Sequence, residues 1–320
     1  MSYTRRTSCS CCSCCSCCSC CSCCSSCSCC SENISNNPGI SALPAIAVNG
    51  NNVYLVWNDD TDGFDEIFFS KSTDGGETFS TPENISNNPG ISTLPAIAVN
   101  DNNVYVVWND DTDGFDEIFF SKSTDGGETF STPENISNND IGNNDSFSYQ
   151  PSISAYGNNV YVVWHDDPQG ERKIFIVKST DGGQTFSTPE NLSEKFDFSS
   201  KSVIAIEGDN VYVVWIVDIP DNNDVFFSKS TDGGETFSTP ENISNNPGFS
   251  NVPINVRNSL FEPSIIVIGN NVYVSWTDGT PGNWEILLTT SKNGGETFDK
   301  PENISNNPGE SREPDLALLQ

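Results

Sequence analysis

The chain has 320 residues, 35% of them hydrophobic, and a formal net charge of −30 from 44 acidic against 14 basic side chains. A field of that sign repels nucleic acid and anionic lipid and favours cations or basic partners. No apolar run is long enough for a membrane-spanning helix, and all 14 cysteines fall between Cys9 and Cys30, so the rest of the chain must rely on burial and sheet hydrogen bonds.

In chain order, Met1–Thr7 holds the pair Arg5-Arg6 with no Leu/Ala-rich stretch behind it, so the N-terminus shows no recognisable signal peptide. Residues 8–31 are a Ser/Cys tract, and the segment 1–31 is expected to be disordered on its low complexity. Three readings stay open for it: a tail for soft metals such as zinc or copper(I), a disulfide arm that links chains, or an unselected simple-sequence expansion. Residues 32–320 form the second unit. Within it, 31–81 and 82–132 differ only at Ser31/Pro82, Ala42/Thr93, Gly50/Asp101 and Leu55/Val106, and three more divergent copies follow. Trp57, Trp108, Trp164, Trp215 and Trp276 mark the register of five units of about fifty residues.

Each unit reads as four strands. Strand A is 44–48, strand B 53–57, and strand C 66–72; strand D starts at Glu77 and runs to Ser86. Strand B is apolar on both faces, as a strand sandwiched between sheets should be, and Thr73-Asp74-Gly75-Gly76 marks a tight hairpin. Nothing shows sustained helical periodicity. The fold class is therefore all-β: a β-propeller of four-stranded antiparallel blades. Five blades are complete, and orphan strands stand at both termini, Glu32–Ser35 as a D-strand tail and Pro314–Leu318 as an A strand. A five-position and a six-position ring both accommodate them. Unpaired edges recruit partners, so self-assembly through these strands or the Cys tract is a further expectation.

Ser72, Asp74, Gly76, Thr78 and Phe79 spell Ser-x-Asp-x-Gly-x-Thr-aromatic, and the pattern returns with Asp125, Asp181, Asp232 and Asn293 in the Asp place. Over 31–320 the chain thereby resembles the sialidase-like Asp-box (BNR) repeat superfamily, which includes glycoside hydrolases, receptors and non-enzymatic propellers. The resemblance implies that these boxes are structural, on hairpins away from the active-site face, with Phe anchoring strand D on the blade core. It also implies, for members that cleave sialic acid, an arginine triad, a Tyr–Glu pair and an Asp acid/base, the first arginine in Arg-Ile-Pro entering the first A strand. Here the corresponding places read Ala42-Leu43-Pro44, Thr93-Leu94-Pro95, Tyr149-Gln150-Pro151, Phe261-Glu262-Pro263 and Arg312-Glu313-Pro314. Beyond Arg312 the body has only Arg172 and Arg257, and the near identity of the first two blades suits a repeated structural or binding role better than an asymmetric active site. No catalytic residue is therefore assigned.

The B–C loops are acidic, with Asp60, Asp62 and Asp65 in the first blade and Asp111, Asp113 and Asp116 in the second. Their spaced oxygen ligands make calcium the cation they would take; the alternative is a solvated loop with Asx turns. The one histidine, His165, opens the third such loop, where a lone side chain is expected to be solvated. Trp284, flanked by Pro281-Gly282-Asn283, stands where a sugar ring could stack on it, although packing serves as well; with the loops 140–150 and 249–262 it is a candidate for specificity. Asn-x-Ser/Thr triplets at Asn33, Asn84, Asn135, Asn144, Asn191, Asn242 and Asn303 read as strand terminators rather than glycosylation sites. The resulting expectation is a non-catalytic, extracellular or cell-surface module that binds a glycan or protein partner. The alternatives are a sialidase-like glycoside hydrolase and a structural subunit assembling through its terminal strands.

Overall fold

The computed structural model describes residues 33–112, 114–137, 147–167, 170–219, 222–244, 263–279 and 283–317. Residues 1–32, with the whole Ser/Cys tract, and most of the loops 140–150 and 249–262 lie outside them. Five four-stranded antiparallel sheets follow one another along the chain. Blade 1 is β1 (Ser41–Asn49), β2 (Asn52–Asp59), β3 (Glu66–Ser72) and β4 (Glu83–Asn84). Blade 2 is β5 (Ser92–Asn100), β6 (Asn103–Asp110), β7 (Glu117–Ser123) and β8 (Glu134–Asn135). Blade 3 is β9 (Ser148–Tyr156), β10 (Asn159–Asp166), β11 (Lys173–Ser179) and β12 (Glu190–Asn191). Blade 4 is β13 (Ser199–Glu207), β14 (Asn210–Ile219), β15 (Asn222–Ser230) and β16 (Glu241–Asn242). Blade 5 is β17 (Ser264–Ile268), β18 (Asn271–Asp278), β19 (Glu285–Ser291) and β20 (Glu302–Asn303).

Strand C matches its expected bounds, but strand D does not. Only two residues of it pair, Phe68↔Asn84 and Phe69↔Glu83 in blade 1, because Pro82 just before them has no N–H to give a ladder. Strand B runs two residues past Trp57, to Asp59, which pairs with both Ser41 and Glu66. Among the described residues of the two terminal segments, 33–35 and 311–317, none forms a strand. Residues 311–317 sit where the A strand of a sixth blade would start: Ser311 N–H donates to Trp284 O (2.7 Å), as Ser92 does to Asp65 O and Ser148 to Asp116 O.

The core lies between blades. Tyr54, Val56, Ile67, Phe69 and Ile85 of blade 1 pack against Val104, Val106, Trp108 and Phe119 of blade 2, and the same pattern recurs at the next three junctions. This is why strand B carries apolar residues on both faces. Trp108, Trp164, Trp215 and Trp276 are fully buried at these junctions, and burying such a side chain contributes about 1.5–3 kcal/mol or more.

The repeated hairpin joins these junctions. In blade 1, Ser72 Oγ donates to Asp74 Oδ1 (2.6 Å) and accepts Gly76 N–H (2.8 Å), while the carboxylate accepts Thr78 N–H (2.9 Å) and Thr78 Oγ–H (2.7 Å). Gly75 and Gly76 hold φ of 76° and 81°, which only glycine adopts at little cost. In blade 5 the amide of Asn293 keeps the same turn with one bond reversed: Nδ2 donates to Thr297 Oγ1 (2.9 Å). The expected role of the aromatic residue needs correction. Phe130 packs edge-on against Phe69 of the preceding blade, centroids 4.8 Å apart, as Phe186 does on Phe120 and Phe298 on Phe227. It ties blade to blade rather than strand D to its own sheet.

Candidate functional site

The hairpins pack on the A–B turns, Gly75 N–H donating to Asn51 O, so the B–C loops and D–A linkers share the opposite end of every blade. There β1, β5 and β13 begin with a bulge, between Ala42 and Ala45, Thr93 and Ala96, and Ser200 and Val203, and β9 has the same offset opposite Val163 and His165. The middle residue of each corner is left-handed: Leu43 (φ 50°), Leu94 (53°), Gln150 (53°), Lys201 (53°) and Glu313 (56°). For residues with a Cβ this costs about 1–2 kcal/mol each. The neighbouring blade holds some of them in place: Asn109 Oδ1 accepts Gln150 N–H (3.0 Å) and Thr277 Oγ1 accepts Glu313 N–H (3.1 Å).

These corners line an open cavity of about 330 Å³ on the propeller axis. Blades 1 and 2 give it an apolar wall of Leu43, Pro44, Leu94 and Pro95, while Gln150, Lys201 and Ser202 of blades 3 and 4 give it a polar and cationic one. Pro263 closes the fifth side. The residue beside each lining corner is Ala42, Thr93, Tyr149 or Ser200, none of them a cation.

The mouth over blade 3 is aromatic. Phe115 meets Phe147 edge-on at 5.9 Å, Phe147 stacks on Tyr149 at 6.1 Å, and Tyr149 lies 5.7 Å from the His165 ring. Burial first, then a hydrogen bond to Asp116, pushes the Tyr149 phenol up to about 12, so it is protonated at neutral pH. Burial raises Asp116 in turn. His165 departs from expectation. It is a residue of β10, only 7% exposed, and its Nδ1 has no hydrogen-bond partner. Burial, followed by the charges of Arg172 and Lys201, lowers it to about 4, so the ring is neutral.

The other candidates are committed elsewhere. Trp284 is 4% exposed, a packing residue rather than an open platform. The Arg312 guanidinium lies over its ring, 5.4 Å from the centroid, and pairs with Glu310 at 2.7 Å. Arg172 bridges to Asp218 of blade 4 at 2.8 Å. Arg257 lies outside the described residues, as does Asp113. The acidic loops spend their carboxylates on the linkers that enter strand A. Asp60 Oδ1 accepts Ile40 N–H (2.6 Å), Asp111 Oδ1 accepts Ile91 N–H (2.5 Å), and Asp65 Oδ1 accepts Asn58 Nδ2 (2.8 Å). Asp62 is exposed at the loop tip. Among the described residues no three metal-ligating side chains converge. Asp59 and Asp110, at the ends of β2 and β6, are the buried anchors. Asp110 Oδ2 accepts Trp108 Nε1, Asn88 Nδ2 and Ser92 Oγ. The Trp-x-Asp spacing in both blades was the available signal. In two of the Asn-x-Ser triplets the Asn side chain closes a local turn, Asn84 Oδ1 accepting Asn87 N–H (2.9 Å) and Asn303 Oδ1 accepting Asn306 N–H (2.9 Å).

No protein-family model and no curated protein sequence matches the chain. Among solved structures it is similar to the Hadza microbial sialidase Hz136, with 14% identity, a TM-score of 0.56, and coverage of 82% of this chain and 58% of that one. It is also similar to the Trypanosoma rangeli sialidase in complex with the inhibitor DANA (13% identity, TM-score 0.55, 79% of this chain and 47% of that one). The phage phi92 endosialidase gives 11% identity, a TM-score of 0.54, and coverage of 86% and 56%. The chain thus spans between about half and three fifths of the length of these proteins. Five sheets of this topology around an axial cavity, together with these neighbours, establish the fold as the sialidase-like β-propeller.

Proposed function

We propose that this propeller is a non-catalytic, extracellular or cell-surface module that binds a glycan or protein partner at the loop face, over the axial cavity. The observation that carries the reading is the state of the corner residues. Where an arginine would meet a substrate carboxylate stand Ala42, Thr93, Tyr149 and Ser200, and Arg312 is held by Trp284 and Glu310. The cavity instead offers Leu and Pro side chains opposite Gln150, Lys201 and Ser202, a lining suited to a small ligand with one apolar and one polar side. The acidic rim disfavours anionic sugars and favours neutral or basic ones.

A glycoside-hydrolase reading is supported by one feature, the Tyr149 phenol bonded to Asp116 at the mouth. Its raised pKa makes that phenol a poor nucleophile. A fluorogenic glycoside panel that includes sialosides, run beside a glycan-binding array on the purified chain, separates the two. The binding reading expects no turnover, together with saturable binding that Lys201→Ala weakens. Turnover abolished by Tyr149→Phe would overturn it in favour of the enzyme.

A further inference from the structure

Four blade junctions share one chemistry. A lysine of strand C reaches the hairpin of the next blade: Lys71 Nζ donates to Gly126 O (2.9 Å) and pairs with Glu128 (2.7 Å), and Lys229 does the same with Gly294 O (2.9 Å) and Glu296 (2.6 Å). Lys178 pairs with Glu235, and Lys122 donates to Gly182 O (3.0 Å). The second glycine of the incoming hairpin lies against the preceding blade so closely that a Cβ on Gly127, Gly183 or Gly295 would fall 2.5–2.6 Å from Phe69, Phe120 or Phe227.

Both halves of this junction also occur once with no second described blade packed against them. On the rear of blade 1, Ile46 and Val48 are each 52% exposed, and around the Cβ position of Gly76 nothing but its own blade approaches within 4 Å. On the front of blade 5, Ile304 is 53% exposed, whereas its counterparts Ile85, Ile136, Leu192 and Ile243 are buried. The rear of blade 1 is chemically the rear of blade 2, since the two repeats differ at only four positions, and the rear of blade 2 is seen packed on a blade.

We infer that the front of blade 5 takes the rear of blade 1 from a second copy of this chain, a head-to-tail contact that continues the internal junctions from one molecule into the next. Such a heterologous contact adds copies in one direction unless it closes. It is weaker than the internal junctions for a reason visible in the sequence: the lysine place of blade 5 is Thr290, opposite Tyr273 in the same register as Lys71 opposite Tyr54. The second copy's β1 also takes the strip on which residues 311–317 rest. That segment is held there by Glu313 N–H to Thr277 Oγ1 and Leu316 N–H to Ser264 Oγ (both 3.1 Å), so association displaces it.

The test is sedimentation velocity of the full chain over a concentration series, with reductant present so that the Cys tract cannot crosslink. Thr290→Lys sets a cation opposite Glu77 of the second copy, as Lys71 stands opposite Glu128, and is expected to tighten association by roughly two- to five-fold, the effect of one exposed ion pair. Adding Glu77→Lys to that variant places two cations together and should return association to the parent level or below. Amide exchange at Glu313 and Leu316 should rise with protein concentration. A Thr290→Lys chain that stays monomeric throughout the series, or whose association Glu77→Lys leaves unchanged, would overturn the inference. A monomer that becomes more compact on Thr290→Lys would also overturn it, because blade 5 would then have met blade 1 of its own chain.

Discussion

Gly127 and Gly76 occupy the same place in successive blades, and only Gly127 has a preceding described blade against it. Both are left-handed, with φ of 77° and 81°, so alanine at either costs about 1–2 kcal/mol in backbone strain. Both substitutions restrict the unfolded chain equally, which gives back about 0.4–1 kcal/mol in each. What differs is space. A Cβ on Gly127 meets Phe69 Cζ at 2.6 Å and Cε1 at 3.0 Å, whereas the nearest atoms to one on Gly76 are Phe79 and Val53 carbons at 3.9 Å. Phe69 is buried and already packed edge-on by Phe130, so the ring cannot swing away, and forcing it costs a further ~1–3 kcal/mol. Urea unfolding of the two variants at concentrations where the chain is monomeric should therefore show Gly127→Ala less stable than Gly76→Ala by about 1–3 kcal/mol, with unchanged m-values. Equal losses, or a larger one at Gly76, would refute the assignment of closer packing at Gly127 than at Gly76.

Three other outcomes follow from the same geometry. The Asp125 carboxylate is held well below the usual range by Ser123 Oγ first, then by Thr129. A depressed folded pKa adds stability above the unfolded value near 4, which is lost as pH falls further, so Asp125→Asn should flatten the acid limb of a melting-temperature profile; an unaltered limb would contradict this. His165 works over a different window. Lowered to about 4 in the fold and near 6.5 when unfolded, it makes the unfolded state bind more protons between those values, so stability declines as pH drops through that window. His165→Gln should remove that slope as read by urea midpoints at pH 7 and pH 4.5, and an identical slope would count against a buried neutral ring. Arg312→Ala removes the guanidinium over Trp284 and should cost about 0.5–2 kcal/mol in urea unfolding while leaving glycan-array binding unchanged; lost binding would restore Arg312 to the site.

The blades were legible because repetition amplifies local signals. The Trp57 register and the Asp74 hairpin each recur five times, and strand C was placed to the residue. Strand D was misjudged because its residues look like a strand, yet Pro82 denies it a ladder. His165 was misplaced because whether a loop-end side chain is solvated or buried depends on the blade beside it, as Lys201 shows, and one sequence does not state which residues meet across a junction. The axial cavity was invisible for the same cause, since Leu43, Leu94, Gln150 and Lys201 are separated by whole blades in the chain.

The left-handed corner at the head of β1, β5, β9 and β13, repeated at Glu313, separates shape from chemistry. Where its backbone is tethered from the next blade, by Asn109 to Gln150 or Thr277 to Glu313, the tether grips N–H groups rather than side chains. The side chain that precedes it, alanine, threonine, tyrosine, serine or arginine, is then free to vary without disturbing the turn. Gene duplication thus yields a ring of interchangeable sockets, in which a new specificity can arise by single substitutions at one address per blade.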